Sequence, residues 1–151
     1  MIVAALASGE ALGERGPLRK IDTHMSNLFL GQDRVYKLKR AVRHPFCDMS
    51  SPQARERACR EELSVNSSLA PALYERVLPI SLTPDGHVQI DGPGEPVDWI
   101  VVMRRFPDGA LLAEMADRGQ LGTEQIDEAV DAVAAFHLNR HSPSGPPLDF
   151  K

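Results

Sequence analysis

The stretch Arg34-Val35-Tyr36-Lys37-Leu38-Lys39-Arg40 decides how this chain folds, because apolar and basic residues alternate along it with a period of two. That period is typical of a β-strand, in which successive side chains point to opposite faces of a sheet. Lys37 and Lys39 therefore lie on one face of the strand, and Tyr36 and Leu38 lie on the other. A strand-like run over residues 27–31, joined by Gly31-Gln32-Asp33, predicts a hairpin with this strand.

A helix is predicted to follow, beginning at Ser51-Pro52. Serine is a favoured N-cap residue, and proline is favoured at the first helical position. The helix should continue to about Leu69 and end before Pro71. At about 100° per residue, Glu62 falls within the apolar stripe and Glu61 falls at its margin. An acidic residue in the middle of an apolar face requires a partner or a function. The stripe comprises Ala58, Cys59, Leu63, Val65 and Leu69.

The rest of the chain predicts an α+β fold, with an antiparallel sheet of about five strands packed on one helix. The later strands are expected over residues 77–82, 87–90 and 99–103, and helices over 110–116 and 123–141. Residues 1–20 are interpreted as an N-terminal helix or arm, residues 21–106 as the sheet-containing part, and residues 107–151 as an incomplete helical part. The Pro- and Gly-rich stretch at 142–147 has the composition of a linker.

Composition and charge exclude several functional classes. Hydrophobic residues make up 42% of the 151 residues and charged residues 25%, which indicates a globular protein. The net charge of −4 argues against a general nucleic-acid-binding protein, since such proteins normally carry a basic excess. The apolar residues 1–7 are too short to span a membrane and lack the flanking cation of a signal peptide. The two cysteines have no Cys-x-x-Cys spacing, so a cytoplasmic protein with reduced thiols is expected.

Histidines and cysteines provide only weak candidates for a metal site or a nucleophile. His137 and His141 lie four residues apart on one helix, but Leu138 occupies the position where the zincin motif needs a glutamate. A packed His137 and an exposed His141 are therefore expected, with no metal site. Cys47 and Cys59 are expected to be small buried hydrophobic residues, because neither has an evident base partner.

Several ordered motifs resemble the amino-terminal part of bacterial aminoglycoside phosphotransferase-like proteins, in the subgroup often fused to a P-loop kinase domain. The resemblance covers roughly residues 20–141. The motifs are Asp22-Thr23-His24-Met25-Ser26, Val35-Tyr36-Lys37-Leu38-Lys39, Phe46-Cys47-Asp48, Glu61-Glu62-Leu63-Ser64-Val65-Asn66, Ala70-Pro71-Ala72-Leu73-Tyr74 and Val102-Met103-Arg104-Arg105-Phe106-Pro107.

The resemblance implies that residues 21–106 form a kinase-like N-terminal lobe with its hinge, followed by the first helices of a truncated C-terminal lobe. Lys37 would contact the phosphates of ATP, and Glu62 would hold its ammonium group, with Glu61 as the fallback partner. The full enzyme would use ATP and Mg²⁺ to phosphorylate a hydroxyl group of an unknown small molecule. The residues that the resemblance assigns to the adenine pocket and the hinge are Val35, Met103, Arg104 and Phe106.

The chain departs from the family pattern in two ways. It has no Gly-x-Gly-x-x-Gly, so the turn near His24 would have to cover the phosphates without it. The family's catalytic His-Gly-Asp loop, its asparagine and its later metal-binding aspartate have no counterpart before Lys151. We therefore expect the nucleotide-binding portion of an enzyme that is inactive alone, with weak or absent ATP binding and no phosphoryl transfer.

Other interpretations remain open. The chain could instead be a non-catalytic binding or regulatory module derived from a kinase lobe, self-associating through the surface that the missing lobe would cover, or a plain α+β domain. Glu62 could be a helix-surface acid beside Arg55 or Arg60. Lys39 is expected to be a solvated strand lysine, because lysines usually lie exposed.

Overall fold

The computed structural model describes residues 1–139 in two compact units, Met1–Pro107 and a second that begins at Asp108. The first unit contains α1 (Ile2–Ser8), a 3₁₀ turn (Glu10–Leu12), β1 (Arg19–Asp22), β2 (Ser26–Leu30), β3 (Arg34–Lys39), β4 (Arg43–His44), β5 (Cys47–Asp48), α2 (Pro52–Leu69), β6 (Tyr74–Leu82), β7 (Val88–Ile90) and β8 (Asp98–Arg104). The second unit contains α3 (Leu112–Asp117) and α4 (Thr123–Asn139). The chain is thus α+β, as predicted.

The main sheet has six antiparallel strands in the order β1-β2-β3-β8-β6-β7. The prediction of about five strands missed β1, which begins within residues 1–20, the segment interpreted as an arm. All four residues of β1 are exposed, so no alternation of apolar and polar residues marks the strand. The sequence also did not predict the small hairpin of β4 and β5.

One face of the sheet is covered by the N-terminal segment. Leu6 of α1 is fully buried against an apolar cluster, which fixes the first helix to the domain. Burying one leucine side chain contributes about 1.5–3 kcal/mol. Gly9 ends α1 with φ 83°, and a Cβ at this position would collide with the carbonyl oxygen of Gly16. The sheet residues of this cluster are Phe29, Tyr36, Leu38, Ile80, Ile100 and Val102.

The opposite face of the sheet is covered by α2, whose predicted limits are confirmed. The hydroxyl group of Ser51 accepts a hydrogen bond from the backbone N–H of Ala54 at 3.1 Å and caps the helix. The predicted apolar stripe, however, extends too far along the helix, because Val65 and Leu69 near the end of α2 are exposed. The first half of the helix provides the buried contact through Arg55 and Cys59. The apolar cluster on this face contains Val35, Cys59, Trp99, Val101 and Met103.

The second unit is helical, as predicted, and its apolar side chains are poorly covered. The prediction that His137 is packed is wrong, because this residue is exposed. His141 lies outside the described residues. The large apolar residues exposed in this unit are Leu111, Leu112, Ile126, Val130, Val133 and Leu138.

Candidate functional site

The sheet and α2 bring Lys37 and Glu62 together. Lys37 lies in the middle of the sheet, in register with Leu28 of β2 and Val101 of β8. Its Nζ donates a hydrogen bond to Oε1 of Glu62 at 2.7 Å. The Glu62 side chain is 10% exposed and that of Lys37 25%, so both charges are partly removed from water. The contact itself is the one expected from the sequence, whereas the role of the pair toward a nucleotide stays a prediction.

Lys39 also contacts Glu62, which corrects the expectation that this lysine is solvated. Its Nζ donates to Oε2 of Glu62, and its side chain is only 12% exposed. The hydroxyl group of Tyr74 at the start of β6 adds a third donor, 3.3 Å from Oε1 of Glu62. Lys39 could have been found from its position two residues after Lys37, since that spacing already placed both lysines on one face.

The protonation states in this cluster are set by burial and by the two lysines. Burial disfavours ionisation of Glu62, but the hydrogen bonds and charges of Lys37 and Lys39 outweigh it, and the pKa of Glu62 is lowered from 4.5. Burial, together with the nearby Glu62 carboxylate, raises the pKa of Tyr74 to about 12. At neutral pH the site therefore holds an ionised carboxylate and a protonated phenol.

The two residues assigned to the adenine pocket lie opposite one another on adjacent strands. Val35 of β3 pairs in register with Met103 of β8, and both side chains belong to the buried cluster on the α2 face. Val35 is two residues before Lys37, so the apolar pair lies on the same face as the charged cluster. This arrangement places a buried apolar pair, each residue 9% exposed, on the same face as the charged cluster.

The hinge segment is tied to two neighbouring loops. The backbone N–H of Arg104 donates to the carbonyl oxygen of Leu73 at 2.7 Å, and that of Arg105 donates to Asp33 at 2.9 Å. The Arg105 guanidinium donates to the carbonyl oxygen of Gly31 at 2.7 Å. The predicted hinge role of Arg104 is thereby restricted, because its N–H group already has an acceptor. Phe106 follows as an exposed residue.

The turn between β1 and β2 is held by its own hydrogen bonds. The hydroxyl group of Thr23 donates to the carbonyl oxygen of Ser26 at 2.9 Å and accepts from the backbone N–H of Ser26 at 3.0 Å. The guanidinium group of Arg40 donates to the carbonyl oxygen of Thr23 at 2.9 Å. His24 is exposed within this turn. A turn fixed in this way presents His24 beside the end of β3.

A second buried ion pair was not predicted. Nε of Arg55 donates to Oδ1 of Asp98 at 2.7 Å, with the two side chains 7% and 11% exposed. Arg55 precedes Cys59 by one helical turn, which places both on the buried face. Arg55 and Asp98, however, are 43 positions apart in the sequence, so no local pattern predicts their pairing.

The alternative partners considered for Glu62 are wrong. Arg55 pairs with Asp98, and Arg60 pairs with Glu56 at 2.9 Å on the exposed side of α2. Arg60 also lies over the ring of Trp99, with its Cζ 5.0 Å from the ring centroid. The fallback partner Glu61 is exposed on the helix.

Residues 1–139 offer little support for a cysteine nucleophile or a metal site. Cys59 is fully buried, and burial raises the pKa of its thiol to about 11, so the reactive thiolate is disfavoured. Cys47, predicted to be buried, is partly exposed. Within this described part of the chain, no three His, Cys, Asp or Glu side chains form a group that could bind a metal ion. No helix in the same part is long and apolar enough to cross a membrane.

Comparison with known proteins finds similarity to uncharacterized proteins of Mycobacterium bovis and Mycobacterium tuberculosis. The chain is 36% identical to them over 116 residues, a match that covers 77% of this chain and 22% of each relative. The chain thus corresponds to about a fifth of the length of these relatives. No protein-family model matches the chain. No solved structure matches it either.

Proposed function

We propose that Met1–Pro107 is the nucleotide-binding portion of an ATP-dependent small-molecule phosphotransferase of the aminoglycoside phosphotransferase-like, kinase-like class. The observation that carries this proposal is the 2.7 Å contact between Lys37 on a central strand and Glu62 on the helix that follows. In protein kinases a strand lysine binds nucleotide phosphates, and a glutamate on the next helix holds it in place.

The physical reason for such a pair lies in the flexibility of lysine. A four-carbon side chain with a compact charge samples many positions unless a carboxylate restrains it. Partial burial strengthens the attraction between the ammonium group and a phosphate, because less water screens the charges. Lys37 and Glu62 meet both conditions, being 25% and 10% exposed.

The neighbouring residues supply the remaining parts of a nucleotide site. We assign the wall of the adenine pocket to Val35 and Met103, which are 9% exposed, and the contacts with the adenine edge to backbone groups of the hinge. Since the N–H of Arg104 donates to Leu73, we assign the hinge contacts to the carbonyl oxygen of Arg104 and the backbone of Phe106.

Phosphoryl transfer is not assigned to this chain. The sequence contains no His-Gly-Asp segment, and residues 1–139 offer no cluster of side chains that would hold magnesium. We therefore expect ATP binding without turnover. The acceptor would be a hydroxyl group of a small molecule bound by parts of a longer enzyme.

Titration of the purified chain with ATP, followed by calorimetry, tests this proposal. We expect measurable ATP binding by the unaltered protein and a loss of about tenfold or more in affinity for Lys37→Ala, since a charge-assisted hydrogen bond to phosphate is removed. Lys20→Ala is the matched control. Lys20 pairs in register with Phe29, which in turn pairs with Tyr36, so it lies on the opposite face of the sheet.

Two results would contradict the proposal. Absence of ATP binding, or equal effects of the two lysine substitutions, would refute the nucleotide site. Magnesium-dependent ATP turnover that Lys37→Ala abolishes would refute the assignment of binding without transfer.

A second candidate function is a binding module that associates with another copy of itself. It is favoured by the exposed apolar side chains of Ile126, Val130 and Val133 on α4. Analytical ultracentrifugation should then show a concentration-dependent dimer that Val130→Asp weakens. A monomer at all concentrations would refute this candidate and leave nucleotide binding untouched.

A further inference from the structure

The charged cluster around Glu62 has an excess of positive charge. Two ammonium groups, those of Lys37 and Lys39, share the two oxygens of one carboxylate. The ion pairs among the described residues give these two lysines no other acidic partner. One positive charge in this cluster therefore has no counter-charge from a protein side chain in the described part of the chain.

Neighbouring elements do not correct the imbalance. On β8 the nearest acid is Asp98, which pairs with Arg55 of α2 at 2.7 Å. On α2 itself, Glu61 is exposed. Tyr74 on β6 contributes a neutral phenol, since its pKa is raised to about 12. The lysines are 25% and 12% exposed, and a partly buried excess charge is costly unless an anion joins it.

The two lysines follow Val35 along the same face of β3. Val35, Lys37 and Lys39 alternate along β3 and lie on one face of the sheet. With about 3.3 Å per residue, the backbone positions are separated by roughly 7 Å each. Lys39 pairs in register with Ser26, directly after the turn that contains His24, whereas Val35 pairs with Met103 near the hinge.

We propose that Lys37 and Lys39 together bind the polyphosphate of a nucleoside triphosphate, and that Lys39 contacts the terminal phosphate and so distinguishes a triphosphate from a diphosphate. A nucleotide whose base lies on Val35 and Met103 extends its phosphates past Lys37 first and reaches Lys39 last. The ligand supplies the negative charge that the cluster lacks. Glu62 bridges the two ammonium groups through its two oxygens, and the remaining N–H donors of each lysine contact different phosphates.

This assignment rests on the nucleotide site proposed above, and competition binding separates the two. The probes are ATP, ADP, inorganic tripolyphosphate and pyrophosphate, measured by calorimetry on the full chain and on Lys37→Gln, Lys39→Gln and the control Lys20→Gln. The unaltered protein and the control should bind ATP about tenfold more tightly than ADP. Lys39→Gln should reduce this ratio to about one, whereas Lys37→Gln should weaken both nucleotides and retain the ratio. Lys39→Arg should restore part of the preference.

The outcomes distinguish the role of Lys39 from the nucleotide site on which it depends. If ATP binds and Lys39→Gln keeps the preference over ADP, the role of Lys39 is refuted while the nucleotide site stands. A further outcome is that tripolyphosphate binds in a manner that depends on Lys39 and as tightly as ATP. That result would support the polyphosphate-binding site and refute the adenine site. If neither anion binds, both are refuted.

A second measurement covers the case in which Lys39→Gln does not fold. Amine-modifying reagents followed by mass spectrometry report the accessibility of each lysine in the unaltered protein. ATP should protect Lys39 several-fold more than ADP does, while Lys37 should be protected by both. Equal protection of Lys39 by the two nucleotides would overturn the inference.

Discussion

Two charged clusters lie between α2 and the sheet, and they differ in charge balance. Arg55 and Asp98 form a one-to-one pair that is 7% and 11% exposed, and the guanidinium nitrogen Nη1 donates to the carbonyl oxygens of Met49 and Ser50. Lys37 and Lys39 share the single carboxylate of Glu62, and of these three side chains only that of Lys37, at 25%, is clearly more exposed than the first pair. The first pair is balanced in charge and connects α2 to β8, whereas the second cluster connects α2 to β3 with one positive charge in excess.

The largest expected effect of a substitution is at the balanced pair. Arg55→Ala should lower the free energy of unfolding by about 3–5 kcal/mol, because Asp98 is left as an unpaired buried charge. Urea denaturation measures this change. Arg57→Ala, on the exposed side of the same helix, is the control and should change stability by less than about 0.5 kcal/mol. Equal effects of the two substitutions would show that the pair does not hold α2 to β8.

Removal of Glu62 comes next in size. Glu62→Ala should cost about 2–4 kcal/mol, since two ammonium groups then face each other, although both can turn toward water. Glu61→Ala on the exposed neighbouring position should be nearly neutral. Thermal unfolding of the two variants measures the difference in stability. A larger loss of stability for Glu61→Ala would show that Glu61, and not Glu62, is the partner of the lysines.

The contribution of Glu62 to stability should depend on pH. Its pKa in the folded protein lies below 4.5, so the unfolded chain takes up the proton more readily. The stabilisation is therefore complete above pH 4.5 and is lost as the pH falls through the lower folded value. The difference in free energy of unfolding between the unaltered protein and Glu62→Gln should shrink on acidification over that range. A difference that is constant with pH would contradict the lowered pKa.

The two lysines should substitute for each other in stability but not in binding. Lys37→Met or Lys39→Met alone should change the free energy of unfolding by no more than about 1 kcal/mol, because the other lysine still pairs with Glu62 and the excess positive charge is removed. The double substitution should cost more than the sum, since the carboxylate then loses both partners. Denaturation of all four proteins in a double-mutant cycle measures the coupling energy. Strict additivity would mean that the lysines act independently.

The smallest effect is expected at Tyr74. Tyr74→Phe removes one 3.3 Å hydrogen bond to Glu62 and should cost about 0.5–1 kcal/mol. The chain contains only two tyrosines, Tyr36 and Tyr74, and the pKa of each is raised to about 12. Ultraviolet titration should thus show no phenolate near pH 10 in the folded protein. Ionisation of one tyrosine near pH 10 that Tyr74→Phe removes would contradict its burial beside Glu62.

The sequence predicts the parts of this molecule that depend on local chemistry. Ser51-Pro52 marks the start of α2 because capping and proline geometry act within a few residues. The alternation over Lys37 and the position of Glu62 in a helical stripe indicate two elements that face each other. β1 was not predicted, because it pairs with β2 and has no buried apolar face of its own.

What the sequence does not predict depends on contacts between distant segments. The pairing of Arg55 with Asp98 arises only once β8 lies beneath α2. Lys39 was expected to be exposed to solvent because most lysines are, although the strand period already placed it on the same face as Lys37. The hydrogen bond from the backbone N–H of Arg104 to the carbonyl oxygen of Leu73 likewise depends on the path of the chain between α2 and β6.

The N-terminal segment has a consequence for the hinge at the other end of the domain. Glu14 accepts hydrogen bonds from the backbone N–H of Gln32 and from the hydroxyl group of Tyr36, at 3.1 and 3.0 Å. The residues on either side of Gln32, Gly31 and Asp33, accept the hydrogen bonds of Arg105. A single turn residue, Gln32, thus connects Glu14 to the two backbone carbonyl groups that hold Arg105. Removing the N-terminal segment would therefore loosen the contacts that fix Arg105, even though no residue of the charged cluster is changed.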